Sequence, residues 1–226
     1  MDTQSNKYSR LKAIYSKEKL EDLSNSTVAV IGLGGVGSYC AAALVRGGIG
    51  NLILIDFDKI EESNINRQLF ATEKTLGNKK VDVAEKILSE INSDVAISKY
   101  DEKVCNLNLE ELIANVDYIV DAIDDVPDNI SLAKFAEEKS IPIVSCMGTA
   151  MKKDASKLKF ADIYETSVCP LCKSFRKVAK ENKIKNLEVL FSTETPTKPL
   201  TKELGSTSYL PPIAGMMLAG KVIESI

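Results

Sequence analysis

Thr27-Val28-Ala29-Val30-Ile31-Gly32-Leu33-Gly34-Gly35-Val36-Gly37 is the stretch whose reading decides the fold. Its first five residues form a buried-strand pattern. The glycines Gly32, Gly34, Gly35 and Gly37 then let the backbone turn tightly and approach a phosphate closely. Ser38 to Arg46 reads as a helix, whose start offers unpaired N–H groups and the positive end of a dipole. A second apolar run, Leu52 to Ile55, ends in Asp56, an acid at a strand tip that suits ribose hydroxyls. Strand, glycines, helix and acid together read as a nucleotide site.

Outward from this unit the alternation continues. Val81, Ala84, Ile87, Leu88 and Ile91 share one helix face. Val95 to Tyr100, Tyr118 to Asp121 and Ile141 to Cys146 read as further strands, with a helix over Ile130 to Lys139 begun near Pro127. The pattern predicts an α/β, Rossmann-like, doubly wound and mostly parallel sheet with helices on both faces. Ligands in such sheets sit beyond the strand C-termini, where Gly34, Asp56, Asp121 and Asp124 converge.

After Gly148 the texture changes to a smaller extension of short strands plus a helix. Strand candidates are Lys157 to Ile163, Leu187 to Phe191 and Thr207 to Tyr209. Cys172 to Glu181 and Pro211 to Ile226 read as helices, and Thr193 to Lys202 as a loop. The stripe Ile213, Met216, Met217 and Gly220 reads as core or dimer interface. One domain is expected, with an N-terminal arm and helix over 1–25, a nucleotide-binding core over 26–150 and a substrate-facing and dimerisation part over 151–226.

The 226 residues are 44% hydrophobic and 27% charged, which suits one sizeable α/β domain with a real core. A net charge of −3 argues against nucleic-acid binding by the whole surface, though not by a local basic patch. No apolar run reaches membrane-spanning length, so no membrane partner is expected. The polar start lacks a secretory leader's apolar stretch, and five cysteines with no such leader fit free thiols in a cytoplasmic protein. The chain has no histidine. That excludes His-based triads, imidazole bases and the commonest metal ligand.

Asp56 is followed by Arg67, Gln68, Lys79 and Lys80 in an irregular polar stretch. Those cations suit the extra charge of ATP better than a redox dinucleotide. Adenylation of a carboxylic acid also needs no histidine, because the attacking carboxylate is already ionised at neutral pH.

The motifs Tyr8-Ser9-Arg10, Val30 to Gly37, Asp56-Phe57-Asp58, Asn64 to Gln68, Lys80 and Asp121 to Asp124 resemble those of the ThiF/MoeB superfamily, the ubiquitin-activating-enzyme-like adenylating proteins. Ser145 to Gly148, Thr166 to Leu171, Phe191 to Glu194 and Gly205 to Gly215 narrow the resemblance to its tRNA threonylcarbamoyladenosine dehydratase branch. It covers nearly the whole chain. The resemblance implies an ATP- and Mg²⁺-dependent enzyme that adenylates the threonyl carboxylate of N6-threonylcarbamoyladenosine in tRNA and closes a cyclic product. It also implies that Arg10 reaches a neighbouring subunit's ATP in a homodimer. A sulfur-relay protein is a further partner the resemblance admits.

On this reading Arg10, Arg67, Lys80 and Asp124 are the catalytic candidates. Gly32, Gly34, Gly35, Gly37, Asp56, Asp58, Asn64, Gln68 and Asp121 join Arg67, Lys80 and Asp124 around the nucleotide. Asp124 or Asp125 could also cap the helix ahead of Pro127, and both jobs are compatible. Asn64 and Gln68 could equally tie down their loop.

Lys173, Arg176, Lys177 and Lys180 fall at i, i+3, i+4 and i+7, on one helix face. They form either a solvated face or a phosphate track for tRNA. Cys169-Pro170-Leu171-Cys172 supplies only two of the four ligands a structural zinc needs, so no metal is assigned. The alternative substrate is the C-terminal glycine of a ubiquitin-like sulfur carrier. The resemblance also leads one to expect another glycine after Gly148, where Thr149-Ala150-Met151 stands.

Overall fold

Seven strands form one sheet in the computed structural model, which describes residues 6–226. They are β1 (Thr27–Ile31), β2 (Asn51–Ile55), β3 (Ala96–Tyr100), β4 (Tyr118–Asp121), β5 (Ile143–Cys146), β6 (Leu158–Asp162) and β7 (Glu188–Ser192). Their order is β3-β2-β1-β4-β5-β7-β6. All neighbours pair in parallel except β6, which runs antiparallel to β7 at one edge. The expected doubly wound sheet is therefore present, and its order reverses between β1 and β4. Of the 1–25 arm, residues 1–5 lie outside the described residues.

Burial explains which runs became which strands. β1 and β4 are central and almost wholly buried, so they read as continuous apolar runs. β3 lies at the other edge and carries exposed Ser98 and Lys99. The helices are α1 (Lys17–Asn25), α2 (Gly37–Gly47), α3 (Lys80–Ile91), α4 (Leu109–Ile113), α5 (Val126–Lys139), α6 (Pro170–Glu181) and α7 (Leu210–Ser225). Asp125 caps α5 by accepting the Asp128 N–H at 3.2 Å, and Pro127 lies in its first turn.

One face of the sheet is covered chiefly by α2, α3 and α7. Leu44, Val45, Leu218 and Val222 share its core with Val28, Val30 and Leu54. α2 and α7 can pack closely because Gly215 presents no side chain. A Cβ built there would stand 2.2 Å from the Val36 carbonyl oxygen. On the opposite face α4 and α5 bring Leu109, Leu112, Leu132 and Phe135 against Ile31 and Ile119.

One expectation of local structure fails and another is narrowed. Thr207 to Tyr209 is not a strand; the Thr207 hydroxyl accepts the Leu210 N–H at 3.2 Å and leads the chain into α7. Of the stripe read as core or dimer interface, Met217 packs against the core while Ile213, Met216 and Gly220 are exposed, because Leu210, Ala214 and Leu218 supply the buried side of α7. Among the described residues, no helix is long and apolar enough to cross a membrane.

Candidate nucleotide-binding site

A crevice of about 460 Å³ opens beyond the C-terminal ends of β1, β2 and β4. Its position at the reversal of strand order is dictated by topology, since helices leaving neighbouring strands on opposite faces part there. Gly34, Gly35, Asp56, Asp58, Asn64, Arg67, Gln68, Lys80 and Asp124 all line it, although they come from four separate parts of the chain.

The glycines do different jobs. Gly32, at φ 87°, uses a backbone region that favours glycine, and a Cβ there would meet the Ala122 carbonyl oxygen at 2.7 Å. Gly37 is shut against Gly32 itself, with 1.7 Å from a built Cβ to the Gly32 oxygen. It shapes the turn from behind and does not line the crevice. Gly34 is different: the nearest atom to its built Cβ is Gln68 Nε2 at 3.9 Å, so its backbone faces space into which a ligand can come. Ser38, unflagged by any motif, donates from Oγ to the Gly34 carbonyl at 2.6 Å and accepts the Leu69 N–H at 3.2 Å. This ties the glycine turn to the Arg67-Gln68 loop.

Asp56 is 7% exposed, and each carboxylate oxygen is already anchored. Oδ2 accepts the Leu33 N–H at 2.6 Å and Oδ1 the Asp58 N–H at 2.8 Å. A carboxylate oxygen has lone pairs for more than one donor, so ribose hydroxyls can still bind. Burial raises its pKa, while the nearby Lys80 and the two N–H bonds pull the other way. Lys80, at the start of α3, is only 5% exposed; its Nζ lies 2.7 Å from Asp58 Oδ2 and 3.6 Å from Asp56 Oδ2. A nearly buried ammonium beside an open backbone turn is a cation set for an anion.

Asn64 and Gln68 are nearly buried. Asn64 Oδ1 accepts the Glu61 N–H at 3.2 Å, so this residue does tie its loop down. Arg67 donates to Ser63 O at 2.9 Å and to Asn66 Oδ1 at 2.8 Å. Asp124 is exposed on the crevice wall. Asp121 lies behind that wall, fully buried, accepting from Ser145 Oγ at 2.7 Å and from Asn129 Nδ2 at 2.9 Å. Burial pushes its pKa up to about 6.

Arg10 is not among the residues that line the crevice. Neighbouring Tyr8 packs by Gly48 and accepts from Asn92 Nδ2 at 2.9 Å, at the C-terminal ends of α2 and α3. Those ends lie where β2 and β3 begin, at the opposite end of the strands from the crevice. On α6, Lys173, Lys177 and Lys180 are exposed, but Arg176 turns inward and donates to Thr166 O at 2.9 Å. Helical spacing placed it on the basic face; its long side chain found a carbonyl instead.

Beyond the assigned site residues the crevice wall also holds Lys103 and Asp128, an ion pair at 3.0 Å, and Leu204 and Ser206 from the loop before α7. Lys103 and Leu204 carry no local signal, whereas Asp128 stands beside Asp124 in sequence and Ser206 falls within the Gly205 to Gly215 motif, though neither is marked as crevice-lining by its neighbours alone. The absent glycine also has a physical trace. Met151 stands at φ 61°, a region that favours glycine, and is held by backbone bonds to Gly205 at 2.9 Å and Thr197 at 2.8 Å.

A Rossmann-like sheet whose switch point pairs an open glycine turn with a ribose-type acid and an almost buried lysine defines a nucleotide-binding protein built for a charged phosphate chain. The chain belongs to the ThiF family, whose model matches residues 6–226. A tRNA threonylcarbamoyladenosine dehydratase of Bacillus subtilis (strain 168) is 35% identical over 238 residues, which cover 97% of this chain and 94% of the relative. The dehydratase of that name from Escherichia coli (strain K12) is 30% identical over 190 residues, or 80% of this chain and 71% of the relative. Crystal structures of the E. coli enzyme superpose with 26% identity over all of this chain and 96% of theirs, at a TM-score of 0.92 in complex with AMP and 0.91 in complex with ATP.

Proposed function

We propose that this protein is an ATP-dependent tRNA threonylcarbamoyladenosine dehydratase. Lys80, nearly buried beside the open Gly34 backbone at the sheet's switch point, carries this reading. The dehydratase relatives and the ATP and AMP held by a neighbour of the same fold support it.

In the reaction, a threonyl carboxylate oxygen attacks the α-phosphorus of ATP and pyrophosphate leaves. Internal attack on the activated acyl carbon then expels AMP and closes the ring. The substrate loses the elements of one water, and ATP becomes AMP and pyrophosphate. Asp56 orients the ribose. The Gly34 turn and the start of α2 meet the phosphates, and Lys80 and Arg67 offset their charge. Asn64 and Gln68 hold the loop that carries Arg67. The wholly protein-based cations are few, so Mg²⁺ fits here; Asp124 would hold it, and it would neutralise charge on the pyrophosphate leaving group.

Arg10 does not line its own crevice and follows Tyr8, which packs where β2 and β3 begin; this favours a dimer in which each arm serves the other subunit. The exposed Ile213 and Met216 on α7, with Tyr209 just before it, lie within the 151–226 part and offer an apolar surface for that contact. Lys173, Lys177 and Lys180 offer tRNA a local basic face on a weakly acidic protein.

The test is pyrophosphate release from ATP and Mg²⁺ with tRNA that carries threonylcarbamoyladenosine or the same tRNA lacking it. Release only with the modified tRNA is expected. Release that ignores tRNA and requires a ubiquitin-like protein ending in glycine would transfer the assignment to a protein substrate.

A further inference from the structure

A second concave space adjoins the nucleotide crevice and also measures about 460 Å³. Met151, Lys153, Lys198, Leu200, Glu203 and Ser206 are among the residues that line it. Ser206 lines both spaces, and Gly148, Thr149 and Ala150 line the crevice just before Met151 lines its neighbour. The two spaces therefore share a wall, built from the chain that leaves β5 and the loop before α7. Asp56 follows β2 and Gly148 follows β5, so they stand on opposite sides of β1 and β4. With ribose at Asp56 and phosphates at Gly34, the Gly148 side of the crevice is left for the group that attacks ATP.

The shared wall is fixed at every step. The Met151 N–H donates to the Gly205 carbonyl at 2.9 Å, and the Met151 carbonyl accepts the Thr197 N–H at 2.8 Å. Lys152 is 2% exposed and donates to the Gly148 carbonyl at 2.8 Å. The Glu194 carboxylate accepts the Lys153 and Asp154 N–H groups, and the Tyr209 hydroxyl donates to the Lys153 carbonyl at 2.9 Å. Met151 stands at φ 61°, where glycine would sit without strain. Its sulfur accepts the Gly205 N–H at 3.0 Å, so the side chain that brings the strain also ties the two segments of the wall together.

Lys153 and Lys198 are exposed, and neither has an ion-pair partner among the described residues. Glu203 is the one acid among the described residues that line this space. Leu200 and Leu204 stand exposed on the same loop as Lys198. Unpaired cations beside exposed apolar side chains match a nucleotide, whose phosphate is anionic and whose base has an apolar face. Solvated lysines would explain the charges alone. They do not explain a braced hollow that shares a wall with the crevice on the side left for the attacking group.

We propose that the second space binds the nucleotide next to the modified adenosine, with Lys153 and Lys198 holding the phosphodiester that joins the two; this rests on the dehydratase reading and names the path of its RNA. The threonyl carboxylate has to reach the α-phosphorus of ATP inside the crevice. The strand that carries it then leaves at the crevice rim, where Ser206 joins the two spaces. Phosphate contacts at that point set the register of the strand and carry no base preference. No aromatic side chain among the described residues lines the space, so Leu200 offers the neighbouring base apolar contact without stacking.

The experiment compares two ways of removing the same contact in the full chain. Lys153→Gln with Lys198→Gln should raise KM for the modified tRNA about tenfold, the scale of losing one or two phosphate contacts, and leave kcat and KM for ATP unchanged. On the natural protein, the same tRNA with uncharged methylphosphonate linkages on both sides of the modified adenosine should show the same rise. The variant given that tRNA should lose little more, because both changes remove one interaction. An unchanged KM in either arm, or two losses that multiply, would overturn the proposal while conversion of ordinary modified tRNA leaves the dehydratase reading intact. No conversion by the natural protein would remove that reading and the proposal with it. The methylphosphonate arm decides the matter even if the variant fails to fold.

Discussion

Lys80 holds its ammonium 2.7 Å from the Asp58 carboxylate at the floor of the crevice, with only 5% of the lysine exposed. Asp58 itself is exposed and can swing away, whereas Lys80 cannot. An arriving phosphate therefore replaces a mobile carboxylate around a fixed cation. Charge that is already desolvated and in place stabilises a developing anion more than charge that must first be gathered.

The first expectation follows from that fixed cation. Lys80→Met should lower kcat/KM for ATP by about a hundredfold, the scale of losing one preorganised group facing transition-state charge. Asp58→Asn should cost far less, since its ion pair must break in any case. Steady-state kinetics with ATP varied checks both; equal losses would mean that the pair works as a unit.

Arg10 offers a test of architecture. If each arm serves the partner's crevice, Arg10→Ala and Lys80→Met are both nearly inactive alone, yet mixed dimers hold one intact composite site. Activity should return when the two variants are unfolded, mixed and refolded together. Failure to recover activity in dimers shown to be mixed would place Arg10 outside the reaction.

Asp121 gives a pH dependence whose sign is fixed by burial. Its folded pKa is pushed up to about 6 from an ordinary 3.8. The folded state therefore binds this proton more tightly than the unfolded chain, and that stabilisation is complete below the lower value and lost as pH rises through the upper one. The size is about 3 kcal/mol for a shift of roughly two units. Asp121→Asn, whose amide oxygen can still accept from Ser145, removes the titration. Its stability relative to the natural protein should rise between pH 4 and pH 7 in urea unfolding, and a constant difference would contradict the assignment.

The α2–α7 contact can be tested with a single methyl group. At Gly215 a Cβ would stand 2.2 Å from the Val36 oxygen and 3.0 Å from the Cys40 nitrogen, both backbone atoms that cannot rotate away. Gly215→Ala should destabilise the fold by about 1–3 kcal/mol, the usual scale for overpacking. Gly220→Ala, with nothing within 4 Å, should be neutral or slightly stabilising. Thermal unfolding of the two variants side by side is the check.

What the sequence revealed follows from the range of the forces involved. β1, the glycine turn, α2 and Asp56 were legible because a buried parallel strand and a tight turn each need a particular local residue pattern, and these lie next to one another. α4 escaped, since five residues are too few to show a helical period. Lys152 escaped too, because a lysine in Met151-Lys152-Lys153 reads as solvated until the fold closes around it. Arg176 had the spacing of its basic neighbours, but whether a long side chain meets solvent or a carbonyl such as Thr166 O is settled only in three dimensions. The crevice wall formed by Lys103, Asp128 and Ser206 likewise depends on segments distant in sequence.

The most direct measurement is the mass of the modified nucleoside itself. tRNA bearing threonylcarbamoyladenosine is incubated with the protein, ATP and Mg²⁺, then digested to nucleosides under conditions that keep the ring closed and analysed by mass spectrometry. The account expects the nucleoside to lose the mass of one water, with one AMP formed per nucleoside converted, and expects neither change with Lys80→Met. An unchanged nucleoside mass alongside demonstrated ATP binding would contradict it.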